Sequence, residues 1–345
     1  MRVALFTHHF LEPTHHAIAQ VIEGLTHCAF TVYAKRFENH FRLPNVVDRI
    51  TYRKGVAPGL SSEFFDVAHA VYDGKTAIRA AMASQEAKLP FVLSYHGGFD
   101  VHVKIHDPRY REATRLITEA AAAVTVPCRG DIDRLRAIGV QRSIRVVPVP
   151  IDFSRLPVAT RIEGRRLVAV SRLVPKKGVD IAISALVRLP TYELIVVGDG
   201  ELRSQLEEHA RDVGVRERVR FLGLLPLDSV LELLRSAFAL VHPARIAPDG
   251  NAEGTPQAVL WAQAMGVPVI ASRSGSLEEI VEDGRNGRLV PTEDPDGIAI
   301  AVKELEHEPL LRDRWRRGVE LSHHSIERVV QNVATIYRDA LRSAA

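Results

Sequence analysis

Cysteine is nearly missing from this chain of 345 residues, with only Cys28 and Cys128 present. Two thiols so far apart make no disulfide framework, and neither stands at a metal-ligand spacing, so they read as reduced thiols of an intracellular protein. Long apolar runs are missing too. The apolar residues after Met1 and Arg2 stop at Phe6, too short for the core of a secretory leader. No stretch approaches the roughly 20 residues of a membrane span. Short-period repeats and low-complexity tracts are absent. Neither sign of charge dominates, since 45 Lys and Arg face 42 Asp and Glu for a net charge of +3. Weak attraction to phosphates or to an anionic membrane surface is compatible with that balance, and no nucleic-acid partner is expected.

What is present describes an ordinary folded protein. Hydrophobic residues make up 46% and charged residues 25% of the chain, and its length suits two domains of about 150 residues. Val3 to Thr7 reads as a buried strand, and Ala17, Ile18, Val21, Ile22 and Leu25 follow at helical spacing. Strands at Phe30–Ala34, Asp66–Ala70, Pro90–Tyr95 and Ala122–Val126 alternate with helices from Lys75 and Arg109. A proline- and charge-rich segment, Leu156 to Arg166, then interrupts the rhythm. Beyond it come strand Leu167–Ser171, a helix from Lys177, strand Leu194–Val197, helix Glu201–Val213 and strand Arg218–Leu222. Such alternation predicts an α/β protein of two doubly wound, Rossmann-like domains. Their expected bounds are 1–155 and 156–324. The tail, with apolar residues from Ile326 to Leu341 at helical spacing, is a packed helix over about 325–345 that can return to the first domain.

Four segments carry residues suited to chemistry. Ser171-Arg172-Leu173-Val174-Pro175-Lys176-Lys177-Gly178 lies where a strand gives way to a helix, the place where open α/β sheets bind ligands. Arg172 and Lys177 there suit a diphosphate whose negative charge grows as a group leaves it; a solvated basic turn is the plain alternative. Gly198 and Gly200 flank Asp199 in a second strand-to-helix turn, without the full dinucleotide fingerprint. The third segment runs from His242-Pro243-Ala244 through Asp249-Gly250-Asn251-Ala252-Glu253-Gly254-Thr255-Pro256 to Gly266. Thr255 reads as an N-cap, Pro256 as the first helical residue and Gly266 as the C-terminal stop. Glu253 is then a carboxylate just ahead of a helix N-terminus, placed to bond sugar hydroxyls while helix amides face phosphates; helix-end electrostatics alone is the alternative. In the first half, Ser94-Tyr95-His96-Gly97-Gly98 puts His96 at a strand's carboxyl end. His8, His9, His15 and His16 crowd the first loop without an acidic partner spaced to complete a metal site.

In order, these segments resemble glycosyltransferase family 4, the retaining enzymes of GT-B fold, and most of all members that assemble bacterial exopolysaccharide and colanic acid. The resemblance is strongest from Leu167 to Asp294. It implies transfer of a hexosyl unit from a nucleotide-diphosphate sugar to a glycan, a lipid-linked acceptor or a small molecule, with no metal cofactor. Arg172 and Lys177 would bind the donor diphosphate, Glu253 the transferred sugar, and His96 that sugar from the other domain. Gly198, Gly200, Gly254, Thr255, Pro256, Gln257 and Trp261 complete the implied donor site. Thr14, His15, His16 and Gly97 fall on the acceptor side. The family usually has a second glutamate eight positions after the first, holding the ribose, where this chain has Trp261. An indole donates one hydrogen bond and accepts none. Either the nucleotide is held by stacking, or the protein is a weakened or non-catalytic relative that binds a partner on the same scaffold.

Asp131-Ile132-Asp133 and Asp294-Pro295-Asp296 match the Asp-x-Asp pattern of metal-dependent transferases. Their expected places, inside an amphipathic helix and at a helix start, make both incidental. Lys35, Arg36, Arg42, Arg49, Arg53 and Lys54 outnumber Glu38 and Asp48 nearby. That stretch reads as solvated surface, with peripheral contact at the inner face of the cell membrane as the alternative in an otherwise cytoplasmic protein.

Overall fold

The computed structural model describes every residue except 11–15, 38–49, 55–59, 72–73, 97–102, 104–105, 159–163, 309 and 345. The chain divides into two compact units, Met1–Ile151 with Ser322–Ala345, and Asp152–Leu321.

In the first unit the strands are β1 (Arg2–Phe10), β2 (Ala29–Phe37), β3 (Ile50–Lys54), β4 (Val67–Val71), β5 (Phe91–Ser94), β6 (Ala123–Val126) and β7 (Ile144–Val146). Helices α1 (His16–Gly24), α2 (Lys75–Glu86), α3 (Pro108–Ala120) and α4 (Arg129–Ala137) alternate with them. The strands form one parallel sheet in the order β3-β2-β1-β4-β5-β6-β7. Every residue of β4, β5 and β6 is buried, as expected when helices cover both faces of a parallel sheet. The sequence pattern did not reveal β3 or β7. In β7, Arg145 and Val146 are exposed at the sheet's edge, so no apolar run marks it.

The second unit repeats the plan with β8 (Arg166–Val170), α5 (Val179–Ala185), β9 (Glu193–Val197), α6 (Arg203–Asp212), β10 (Val219–Gly223), α7 (Leu227–Arg235), β11 (Ala239–His242), α8 (Gln257–Met265), β12 (Val269–Ser272), α9 (Leu277–Ile280), β13 (Arg288–Val290), α10 (Pro295–His307) and α11 (Leu311–Gly318). Its parallel sheet runs β10-β9-β8-β11-β12-β13. The winding reverses between β8 and β11, and a crevice at the carboxyl ends of that pair is where such sheets hold ligands.

The last helix, α12 (Ile326–Ala344), belongs to the first unit. Ile336, Tyr337 and Ala340 on one of its faces are buried with Leu5, Ile18 and Ile22. Polar bonds fix its approach. Ile151 donates its amide to the His324 carbonyl (2.7 Å), Ile326 returns one to the Ile151 carbonyl (2.9 Å), and His324 Nδ1 lies 2.7 Å from the Val149 carbonyl. The Tyr337 hydroxyl reaches His69 Nδ1 at 2.7 Å, and His69 Nε2 continues to Ser94 Oγ at 2.7 Å.

Candidate functional site

Two loops meet at the reversal point of the second sheet. The chain leaves β8 at Ser171 and makes a 3-10 turn over Pro175–Lys177. A left-handed Gly178 (φ 60°) separates this turn from α5. Lys177 therefore sits on the turn rather than in the helix that the sequence led us to expect from that position. Beside it, β11 ends at His242, and the chain passes through residues 243–256 before α8 begins at Gln257. Pro256, not Thr255, occupies the N-cap, and no side chain caps the helix. Proline fits because it has no amide to satisfy, and the first amides of α8 are left without intrahelical partners. Gly266 (φ 80°) ends α8 in the left-handed conformation, as expected.

Glu253 is the centre of the arrangement. Its side chain is only 5% exposed, yet Oε2 meets both Lys177 Nζ and His242 Nε2, the latter at 2.9 Å. Burial alone would raise the carboxyl's pKa; Lys177, the His242 hydrogen bond and nearby Lys176 outweigh it and hold the group well below the usual glutamate range. His242 is fully enclosed in the opposite sense. Burial lowers its pKa despite the attraction of Glu253, so near neutrality the ring is uncharged and donates its Nε2 hydrogen to the carboxylate. The backbone of Glu253 is held too. Its carbonyl accepts the Ser276 amide at 3.2 Å, and the Gly254 carbonyl accepts the Ser276 hydroxyl.

Arg172 lies one strand end away and is exposed, with no ion pair among the described residues. It is a guanidinium left available to an anion. Gly198 and Gly200, in the turn after β9, allow close backbone approach: a Cβ on them would lie 1.9 Å from the Ser171 carbonyl oxygen and 2.4 Å from that of Leu173. Their role is to seat the Arg172 loop. The turn continues through Glu201, and α6 opens only at Arg203, so Glu201 precedes the helix instead of occupying its first turn. Gln257 opens α8 with a buried carboxamide nitrogen that has no hydrogen-bond partner among the described residues. Thr255 is half-buried beside it. Trp261, one turn further on, is also half-buried and packs against the cluster that contains Val259 and Ala262.

Sequence reasoning missed two residues of this cluster. His242 was legible only as a strand-end histidine, and its link to Glu253 crosses eleven positions of irregular chain. Lys176 resembled a solvated neighbour of Lys177, but its amine points inward and the residue is 6% exposed.

In the first unit, His96 is half-buried just beyond β5. It lines a small pocket, partly open to solvent, whose walls include Ile18, Val333 and Pro148 and whose polar side includes His69 and Ser94. Thr14, His15 and Gly97 lie outside the described residues, as does the side chain of His16. The two Asp-x-Asp matches have structural places. Asp131 is buried in α4 and pairs with Arg134 at 3.1 Å, while Asp294 caps α10 by accepting the Gly297 amide at 2.8 Å. Among the described residues no helix is long and apolar enough to cross a membrane.

Comparison with known proteins adds the relationships. Residues 155–320 match the family model described as glycosyl transferases group 1, and residues 2–150 match that of a glycosyl transferase 4-like domain. A GDP-mannose-dependent alpha-(1-6)-phosphatidylinositol monomannoside mannosyltransferase of Mycolicibacterium smegmatis is 33% identical over 237 residues, 64% of this chain and 62% of that protein. The lipopolysaccharide core biosynthesis glycosyltransferase LpsE of Rhizobium meliloti is 32% identical over 55% of this chain and 56% of its own length. The chain thus spans less than two thirds of these relatives. Among solved structures, Anabaena HepE in complex with UDP and glucose superposes with a TM-score of 0.81 at 17% identity, covering 97% of this chain and 98% of that one. Sucrose-phosphate synthase from Thermosynechococcus elongatus gives 0.80 at 18% identity, over the whole of both chains.

Proposed function

Because this chain belongs to the group 1 glycosyl transferases, with a glycosyl transferase 4-like first half and a GT-B fold, we propose that it moves a hexosyl unit from a nucleotide-diphosphate sugar to a glycan or lipid-linked acceptor, with retention at the anomeric carbon. One observation carries the reading above all. A carboxylate is buried and kept ionised at the sheet's reversal point, ahead of the start of α8 and beside the loop that carries Arg172, which has no ion pair among the described residues. A buried ion pair contributes little net stability, since desolvation offsets most of the attraction. Its retention in this place is better accounted for by a ligand that uses it.

The chemistry follows from those charges. The acceptor hydroxyl oxygen bonds to the anomeric carbon while the bond from that carbon to the diphosphate oxygen breaks, both electrons leaving with the diphosphate. The hydroxyl proton passes to the departing phosphate oxygen. Arg172, Lys177 and the first amides of α8 stabilise the charge that develops there, and each well-placed donor of this kind contributes about 3–4 kcal/mol in other enzymes. Glu253 accepts hydrogen bonds from sugar hydroxyls and fixes the ring in the reactive orientation. Relatives named for a phosphatidylinositol mannoside and for lipopolysaccharide core support an acceptor tied to lipid, and with it peripheral contact at the inner membrane face. A neighbour bound to UDP and glucose supports a nucleotide sugar as donor.

Calorimetric titration with a panel of nucleoside diphosphates and nucleotide sugars tests the reading. Tight binding of one base, lost in Arg172→Ala, is the expected result. Absence of binding to every member of the panel would remove the proposal.

A further inference from the structure

Lys176 carries an ammonium where the fold offers almost no water. The residue is 6% exposed, and its Nζ donates to Asn251 Oδ1 at 3.2 Å and to the Ala252 carbonyl at 2.9 Å. Its own carbonyl accepts the Arg245 amide at 2.9 Å, so main chain and side chain together span both ends of the loop that follows β11. That loop is a narrow turn. Ala247 donates its amide to the Asn251 carbonyl (2.8 Å), Asn251 donates to Asp249 Oδ1 (2.9 Å), and Gly250 supplies the left-handed residue with φ 84°. The next residue after Ala252 is Glu253. A buried lysine normally costs free energy, and Lys176 has two positive neighbours in Arg172 and Lys177. Something other than stability accounts for its retention.

We propose that Lys176 is a positioning residue of the donor site, pinning the Asn251 side chain and the Ala252 carbonyl so that the Glu253 carboxylate is presented at one fixed height above the Lys177 turn. The proposal extends the transferase reading above, and its turnover arm rests on it. The geometry makes Lys176 the link between the two loops: the turn after β8 supplies the amine, and the segment after β11 supplies both acceptors. Lys177 acts one residue later on the carboxylate itself, so adjacent lysines hold the backbone and the side chain of one segment separately. Burial lowers the Lys176 amine to about 8, with Lys177 and Arg172 adding to the effect and Glu253 opposing it. A neutral amine still has two N–H groups, one for each acceptor, so the clamp survives loss of the proton.

The test compares Lys176→Met, which keeps the stem and removes the donors, with Lys176→Gln, whose carboxamide offers two N–H groups again. Amide hydrogen exchange across residues 249–256 is expected to quicken in Lys176→Met and to recover in Lys176→Gln, with α10 unchanged as the internal control. Turnover should fall in Lys176→Met, by up to about 100-fold if Glu253 moves by an ångström, while affinity for the free nucleoside diphosphate stays within about threefold because its charge ligands remain. Lys176→Gln should regain most of the turnover. Asn251→Ala, which removes one acceptor and leaves the buried amine, should loosen the same peptides to a smaller degree and serves if Lys176→Met does not fold. Unchanged exchange over 249–256 in these variants, or equal losses of nucleotide affinity and turnover, would overturn the proposal. If the native protein turns over no nucleotide sugar, the transferase reading fails, and the exchange experiment still decides the role of Lys176.

Discussion

Replacing Lys177 by methionine leaves the Glu253 carboxylate buried without its principal counter-charge, and the consequence can be worked out in size and sign. An ionised carboxylate abandoned in the interior costs about 3–5 kcal/mol. The group has an escape, which is to take a proton. At pH 7 that costs two and a half pH units above the ordinary glutamate value of 4.5, or about 3.4 kcal/mol at about 1.4 kcal/mol per unit. The penalty at pH 7 is therefore capped near that figure. Its pH dependence is diagnostic. In the native protein the folded-state pKa of Glu253 is depressed, so its contribution is present above about pH 4.5 and is lost as pH falls. In Lys177→Met the folded-state pKa is raised, and the variant loses up to about 1.4 kcal/mol per pH unit as pH rises from about 4.5 to 7. Urea denaturation followed by tryptophan fluorescence measures this cleanly, because both tryptophans, Trp261 and Trp315, lie in the second unit. Adding Glu253→Gln should restore most of the loss, since no charge is then stranded. A pH-independent penalty, or a double variant as unstable as the single one, would refute the placing of the ion pair.

Three further outcomes are expected. Acid should weaken the first unit: burial lowers His69 to about 3 and His324 to about 4, so stability is lost by about 1.4 kcal/mol per unit for each as pH drops from 6.5 toward those values. Urea denaturation followed by circular dichroism should show a shallower fall of stability between pH 6.5 and 4 in His69→Gln than in the native protein; an unchanged slope would contradict the assignment. Gly275→Ala should slow turnover, because a Cβ there would lie 2.1 Å from the Glu253 carbonyl oxygen at a φ of 60°, and full activity with an unshifted melting temperature would refute that contact. Trp261→Glu restores a carboxylate where the family usually has one, and calorimetry should show tighter binding of nucleotides than of the matching free sugar phosphates; unaltered nucleotide affinity would mean that the indole already fulfils the role.

The alternation of elements was legible because a buried parallel strand leaves a mark in the sequence. Val67–Val71 and Ala123–Val126 are buried on both faces and mostly apolar, and the helices between them keep one apolar stripe. Edge strand β7 leaves no such mark, since Arg145 and Val146 face solvent. Helix starts shifted by one or two residues at α5, α6 and α8 for a common reason. Each follows a loop whose backbone is committed to other contacts, as where Gly198 and Gly200 press on Ser171 and Leu173. Arg172, Lys177 and Glu253 could be singled out because charges at strand ends are conspicuous in a string of letters. Lys176 and His242 could not, since a lysine beside a lysine and a histidine ending a strand look alike whether they are solvated or enclosed.

The sequence by itself therefore determined the two-unit α/β architecture, the C-terminal segment as a packed helix, and the charged residues brought to the second sheet's reversal point. Those features follow from periodicity and from local turn chemistry, which act between near neighbours in the chain. Only the tertiary structure decided that Glu253 is held by both Lys177 and His242, that Lys176 turns inward to the Asn251 side chain and the Ala252 carbonyl, and that Tyr337 meets His69 across 268 positions. These contacts depend on which side of a loop faces protein and which faces water, and burial is a property of the assembled chain.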